Sequence, residues 1–186
     1  VIVALPVHAS LAEFADPAVT AITWTPRSAI SAKSLVLKAF NRSDNLRHAL
    51  LVIELPPGTK PFHEVSYSDL DQLIDTYVKG PVFLARELLG SFVERGRGGL
   101  GVVIRSFGNE SSPMTRSLSA SLESLFDSVL TLYQRESVTL HGFLAGPESE
   151  DEIVRQVFQE MASPDAKSHK KFRRLSSKSG LFPGRR

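Results

Sequence analysis

The sequence has no cysteine, two methionines, one tryptophan and no glycine before Gly58, and it contains no long uninterrupted hydrophobic run. Without cysteine there is no disulfide framework, no thiolate metal site and no cysteine nucleophile, so a reducing cytoplasm is the expected setting. A membrane-spanning helix needs about 18 consecutive apolar residues, which the chain does not supply. Residues 1–10 are too short, and lack the basic flank, for a signal peptide. The expectation is a soluble cytoplasmic protein that makes no membrane contact.

What is present is 186 residues, 42% of them hydrophobic, enough for one domain with an ordinary core. A formal charge of +2 hides an uneven distribution. From Ala166 onward stand Lys167, Lys170, Lys171, Arg173, Arg174, Lys178, Arg185 and Arg186, with no acid among them. Removing these eight from the 22 basic groups leaves 14 against all 20 acids, a body of −6 joined to a tail of +8. The division expected is a domain over residues 1–164 and a basic tail over 165–186. Such a tail either lies on its own acidic body or holds an acidic protein or a phosphate backbone.

Apolar, β-branched runs at 1–5, 19–25, 49–55, 102–104 and 138–144 read as strands, several of them stopped by proline. The run at 49–55 is continuous, as in a central parallel strand buried on both faces. Helical spacing is seen over 28–40, 69–95, 113–134 and 150–161, with Gly80-Pro81 inside the second; Ser10 can cap a further short helix through residue 14. Strands alternate with helices. That alternation predicts an α/β fold, a Rossmann-like parallel sheet with helices on both faces and right-handed crossovers.

Within this pattern, Leu70, Asp71, Tyr77 and Gly80 stand at the spacing of a helical motif, followed by Gly-Leu-Gly-Val-Val-Ile-Arg-Ser-Phe at 99–107 and by the runs at 49–58 and 138–147. Together these resemble the short-chain dehydrogenase/reductase family over residues 49–147, roughly half the chain. Leu70 replaces the aromatic of the family's Trp-Asp pair, Asp71 is its acid and Gly80 its glycine. The strand at 99–107 resembles the one that carries the catalytic serine, and 49–58 the one leading into an Asn-Asn-Ala-Gly turn. The resemblance implies a nicotinamide cofactor, a Tyr/Lys acid–base pair, a supporting serine and asparagine, and a homodimer through helices 69–95 and 113–134.

The residues at those positions do not supply that chemistry. A phosphate cradle needs glycines after the first strand, so that the backbone can approach a pyrophosphate at a helix N-terminus. Here that turn reads Pro6-Val7-His8-Ala9-Ser10, and the segment before Ala49 is short, as if a strand–helix unit were trimmed near the N-terminus. An ungapped count puts the tyrosine position at Thr115 and the lysine position at Ser119, and an alternative register gives Leu118 and Leu122. Residues 113–134 contain no lysine, and their one tyrosine is Tyr133. The serine position falls on Ser106 or Phe107 and the asparagine position on Tyr77, whose phenol, with an ordinary pKa near ~10, has no lysine to lower it.

Other constellations have simpler explanations. His8, His48, His63, His141 and His169 lack ligand-like spacing and read as loop or strand-edge residues. Ser106, Ser111 and Ser112 have no Gly-x-Ser-x-Gly elbow. Asp69, Asp71 and Asp75 suit the start of a helix better than a magnesium site. Gly96-Arg97-Gly98-Gly99 follows a helix instead of preceding one, so it reads as a turn. In the tail, Phe172 and Leu175 interleave with Lys170, Lys171, Arg173 and Arg174, which are the candidate contacts for an acidic partner or nucleic acid. Two functions follow: a catalytically inactive relative that serves as a binding or assembly module and holds no cofactor, or an NAD(P)-dependent oxidoreductase with relocated catalytic residues.

Overall fold

A computed structural model describes residues 2–6, 19–43, 45–57, 60–105, 112–146, 150–163 and 167–175. The chain runs β1 (Ile2–Pro6), β2 (Thr20–Trp24), α1 (Ala29–Arg42), β3 (His48–Glu54), α2 (Tyr67–Ile74), α3 (Gly80–Glu94), β4 (Gly99–Arg105), α4 (Pro113–Leu132), β5 (Thr139–Ala145), α5 (Glu150–Met161) and β6 (Arg173–Arg174). Every strand pairing is parallel. Two sheets result, β1-β2 and β3-β4-β5-β6. The helix that Ser10 was expected to cap lies outside the described residues.

Local chemistry accounts for the boundaries. Ser28 caps α1 by accepting the Ser31 N–H at 3.1 Å. Ser66 and Asp69 close a reciprocal capping box at α2, at 3.1 and 3.3 Å. The expected single helix 69–95 carries a π-helical turn, Asp75–Lys79, between α2 and α3. Pro81 follows that turn after one residue, Gly80. Lacking an N–H and clashing with the carbonyl four residues back, a proline is accommodated by such local widening. Gly80 sits where a Cβ would lie 2.9 Å from the Pro26 Cβ and 3.3 Å from the Trp24 indole, so its smallness lets α3 abut the end of β2. The Gly96–Gly99 stretch is a helix C-cap. Gly96 at φ 63° donates to the Val93 carbonyl at 3.0 Å and Arg97 to the Phe92 carbonyl at 3.2 Å.

Helices cover both sheet faces. On one, the stripes of α1, α3 and α4 (Leu35, Phe40, Leu89, Phe92, Leu122, Phe126) pack on Leu51, Ile53, Leu100, Val102 and Ile104. On the other, Ile153, Val157 and Met161 of α5 cover Val103, Phe143 and Ala145. The strand expected at 49–55 as central and buried on both faces differs: among the described residues β3 pairs with β4 alone, and Val52 is 57% exposed. A second difference is β6, which joins β5 from the segment read as tail and buries Leu175. Among the described residues no helix is long and apolar enough to cross a membrane.

Candidate functional site

In open α/β sheets ligands bind outside the carboxyl ends of the strands, so the candidate site lies at the ends of β3, β4 and β5. Glu54 ends β3 and Arg105 ends β4, facing each other in register. The Arg105 side chain, 15% exposed, places Nη1 3.2 Å from Glu54 Oε1 and 3.1 Å from Glu150 Oε1 at the start of α5. One guanidinium thus ties the end of β3 to the helix on the far face.

Thr115, at the position expected for the acid–base tyrosine, is 3% exposed in the first turn of α4. Its hydroxyl donates to the Pro56 carbonyl at 3.0 Å, and the Ser112 hydroxyl lies 3.1 Å away. Ser112 in turn accepts the Thr115 N–H at 3.2 Å as the cap of α4. The hydroxyl is therefore committed to closing the turn after β3 onto α4. Ser119, one helical turn on, is partly buried. Tyr77 lies half-buried in the π turn, its pKa raised first by burial and then by the Glu54 carboxylate. That direction is opposite to the lowering a proton-donating tyrosine needs. Ser106 and Phe107 lie outside the described residues, as do Ser111 and His8.

The remaining candidates fall into structural roles. Asp69 closes the capping box and pairs with Lys60 at 3.0 Å, which holds its carboxyl below the usual range. Asp75 pairs with Lys79 at 2.6 Å. Of the basic candidates, Lys170, Lys171, Arg173 and Arg174 are exposed, and Arg173 forms an ion pair with Glu160. The Phe172 N–H donates to Asp127 at 2.8 Å, and its ring fills the space left by Gly142. The first part of the basic segment thus lies on the acidic body, one of the two arrangements expected of it.

Sequence reasoning missed one cluster. His141 on β5 and His169 are both buried, their ring centroids 4.8 Å apart and edge to face. His169 Nδ1 faces the Gly142 peptide, 3.2 Å from N and 3.1 Å from O, and Nε2 lies 3.6 Å from Glu160. Among the described residues neither ring nitrogen of His141 has a hydrogen-bond partner, and burial lowers its pKa to about 4. Apolar neighbours at 140 and 143–145 were the available signal that residue 141 faces a core, but the partner lies 28 residues away.

A void of about 10 Å³ lies under Phe126, Leu130 and Phe172. A groove of about 590 Å³ runs across the outer face of α1, α3 and α4, lined by Leu37, Val82, Arg86, Leu125, Val129 and Tyr133.

No protein-family model and no curated protein sequence matches the chain. Solved structures do. Serine dehydrogenase from Escherichia coli superposes with a TM-score of 0.76 at 16% identity over 94% of this chain and 84% of that one. The NADH-dependent reductase A1-R', responsible for alginate metabolism, gives 0.71 at 12% identity over 94% and 85%. The citronellol catabolism dehydrogenase AtuB of Pseudomonas aeruginosa PAO1 gives 0.70 at 16% over 84% and 72%. With its parallel strand pairing and helices on both faces, the molecule has the fold of the short-chain dehydrogenases/reductases.

Proposed function

We propose that the chain is a catalytically inactive relative of those enzymes that acts as a binding or assembly module in the cytoplasm. The observation that carries this reading is the Thr115–Pro56 hydrogen bond, which commits the one hydroxyl at the acid–base position to the backbone. The residues present do not fit a nicotinamide dinucleotide in that fold's usual pose. α4 carries no lysine, and Arg105 joins Glu54 to Glu150 at the strand ends. Tyr77 gives little support to an oxidoreductase with relocated residues, since burial and Glu54 keep its phenol protonated.

Two surfaces support the binding role. The groove over α1, α3 and α4 leaves Leu37, Leu125 and Leu132 exposed, which suits a homodimer through helices 69–95 and 113–134. Lys170, Lys171 and Arg174 remain exposed for an acidic protein partner, while Arg173 is held by Glu160. Assay of NADH and NADPH oxidation against a panel of aldehydes and ketones tests the reading. No rate above the blank is expected, and turnover of any of them overturns it.

A further inference from the structure

We propose that residues 167–175 form an acid-sensitive latch on β5, opened by uptake of a proton at the buried His141. The segment lies along β5 and grips that strand from both faces. β6 pairs with it at Phe143 and Leu144. On the face that α5 covers, His169 packs edge to face on Phe143 and His141, and Leu175 joins the cluster of Phe143 and Val157. On the α4 face the Phe172 ring rests on Gly142, where an added Cβ would lie 2.8 Å from it and 3.0 Å from Leu130.

The fastenings of this segment are short-range and few. The His169 N–H donates to the Leu140 carbonyl at 2.7 Å, the Leu175 N–H to the Leu144 carbonyl at 2.9 Å and the Phe172 N–H to the Asp127 carboxylate at 2.8 Å. The Ser168 hydroxyl accepts the Leu140 N–H at 3.0 Å, and Arg173 pairs with Glu160. By contrast β5 is registered with β4 from Thr139 to Ala145, and α5 buries Ile153, Val157 and Met161. Local opening begins where buried contacts and ladder bonds are fewest, which here is the segment and not the sheet.

His141 supplies the trigger. It is 2% exposed, and a protonated ring there carries a buried charge and two N–H donors with no acceptor among the described residues. Its surroundings do not compensate. His169 and Arg173 of the segment and His48 of β3 oppose a positive charge, and β4 sets Gly101 opposite it in register. The carboxylates nearby serve the segment instead: Glu160 of α5 faces His169 and Arg173, and Asp127 of α4 holds the Phe172 N–H. Burial first, and then those charges, hold His141 to about 4 against an ordinary 6.5. His169 is the weaker trigger, because the Gly142 peptide and Glu160 partly offset its burial. Lifting residues 167–175 takes His169 and Arg173 from beside the His141 ring and admits water. Its pKa then returns toward 6.5, so each step down from pH 6.5 to 4 favours the open form. Opening uncovers Phe172 and Leu175 and frees Arg173 from Glu160.

Amide hydrogen exchange of the full chain at pH 7.5 and 4.5, read by mass spectrometry and corrected for intrinsic exchange, tests the latch. Protection over residues 167–175 should fall at least about tenfold at the lower pH while the β4 amides keep theirs. In His141→Phe the fall should shrink to within about threefold, and His141→Leu repeats the test with a smaller side chain. Three results overturn the proposal. Unchanged protection in the parent means that no latch opens. An equal fall in the His141 variants assigns the response to His169, Asp127 or Glu160. A fall shared by β4 makes it unfolding of the whole sheet.

Discussion

His141 and His169 meet edge to face, ring centroids 4.8 Å apart, and neither ring is open to water. Burial lowers the pKa of both, and of His141 from 6.5 to about 4. His48, His169 and Arg173 add repulsion at His141, whereas the Gly142 peptide and Glu160 partly offset burial at His169. The unfolded chain takes up the His141 proton near pH 6.5 and the folded chain only near pH 4. Stability therefore holds above pH 6.5 and falls as pH drops from 6.5 to 4, by roughly 3 kcal/mol from His141 alone. Urea unfolding at pH 7.5 and 4.5 should show this loss, and His141→Phe should remove most of it. An unchanged loss in the variant would place its origin elsewhere.

Two glycines should respond oppositely to alanine. Gly98 has φ 145°, and a Cβ there would lie 2.1 Å from the buried Phe92 ring. Gly98→Ala should cost about 3 kcal/mol or prevent folding. Gly90, on the exposed side of α3, has no atom within 4 Å of an added Cβ. Gly90→Ala should stabilise by about 0.5–1 kcal/mol through helix propensity. Thermal melts of the two variants check the pair.

The outer helical face gives an association test. Leu132 is 76% exposed on α4, close to the groove that Leu125 and Val129 line. Leu132→Arg should leave the melting temperature within a few degrees of the parent and shift sedimentation from dimer to monomer. A parent that sediments as a monomer at micromolar concentration contradicts the proposed pairing.

Helices and strands were legible because their apolar spacing is local. The stripes of α3 and α4 and the run from Leu100 to Ile104 all lie on core faces. That β3 has a single ladder partner among the described residues was not legible, because burial of Val52 depends on which strand stands beside it and not on its own segment. β6 is two arginines long and has no pattern to read; its place follows from His169, Phe172 and Leu175 docking on β5 and α4. The π turn follows from Pro81, whose position inside a helical pattern was visible while its accommodation was not. At the site, the threonine at the position expected for tyrosine and the absence of lysine from 113–134 were visible residue by residue. The bridges from Arg105 to Glu54 and Glu150 span 51 and 45 residues and needed the strand order.

The central claim concerns the strand ends, where Thr115 holds Pro56 and Arg105 holds Glu54 and Glu150. Isothermal calorimetry with NADH and NADPH on the full chain tests it most directly. The account predicts heats indistinguishable from dilution at ligand concentrations up to about 1 mM, beyond the micromolar range of a working cofactor site. A saturating, one-to-one isotherm with micromolar Kd for either nucleotide would contradict it.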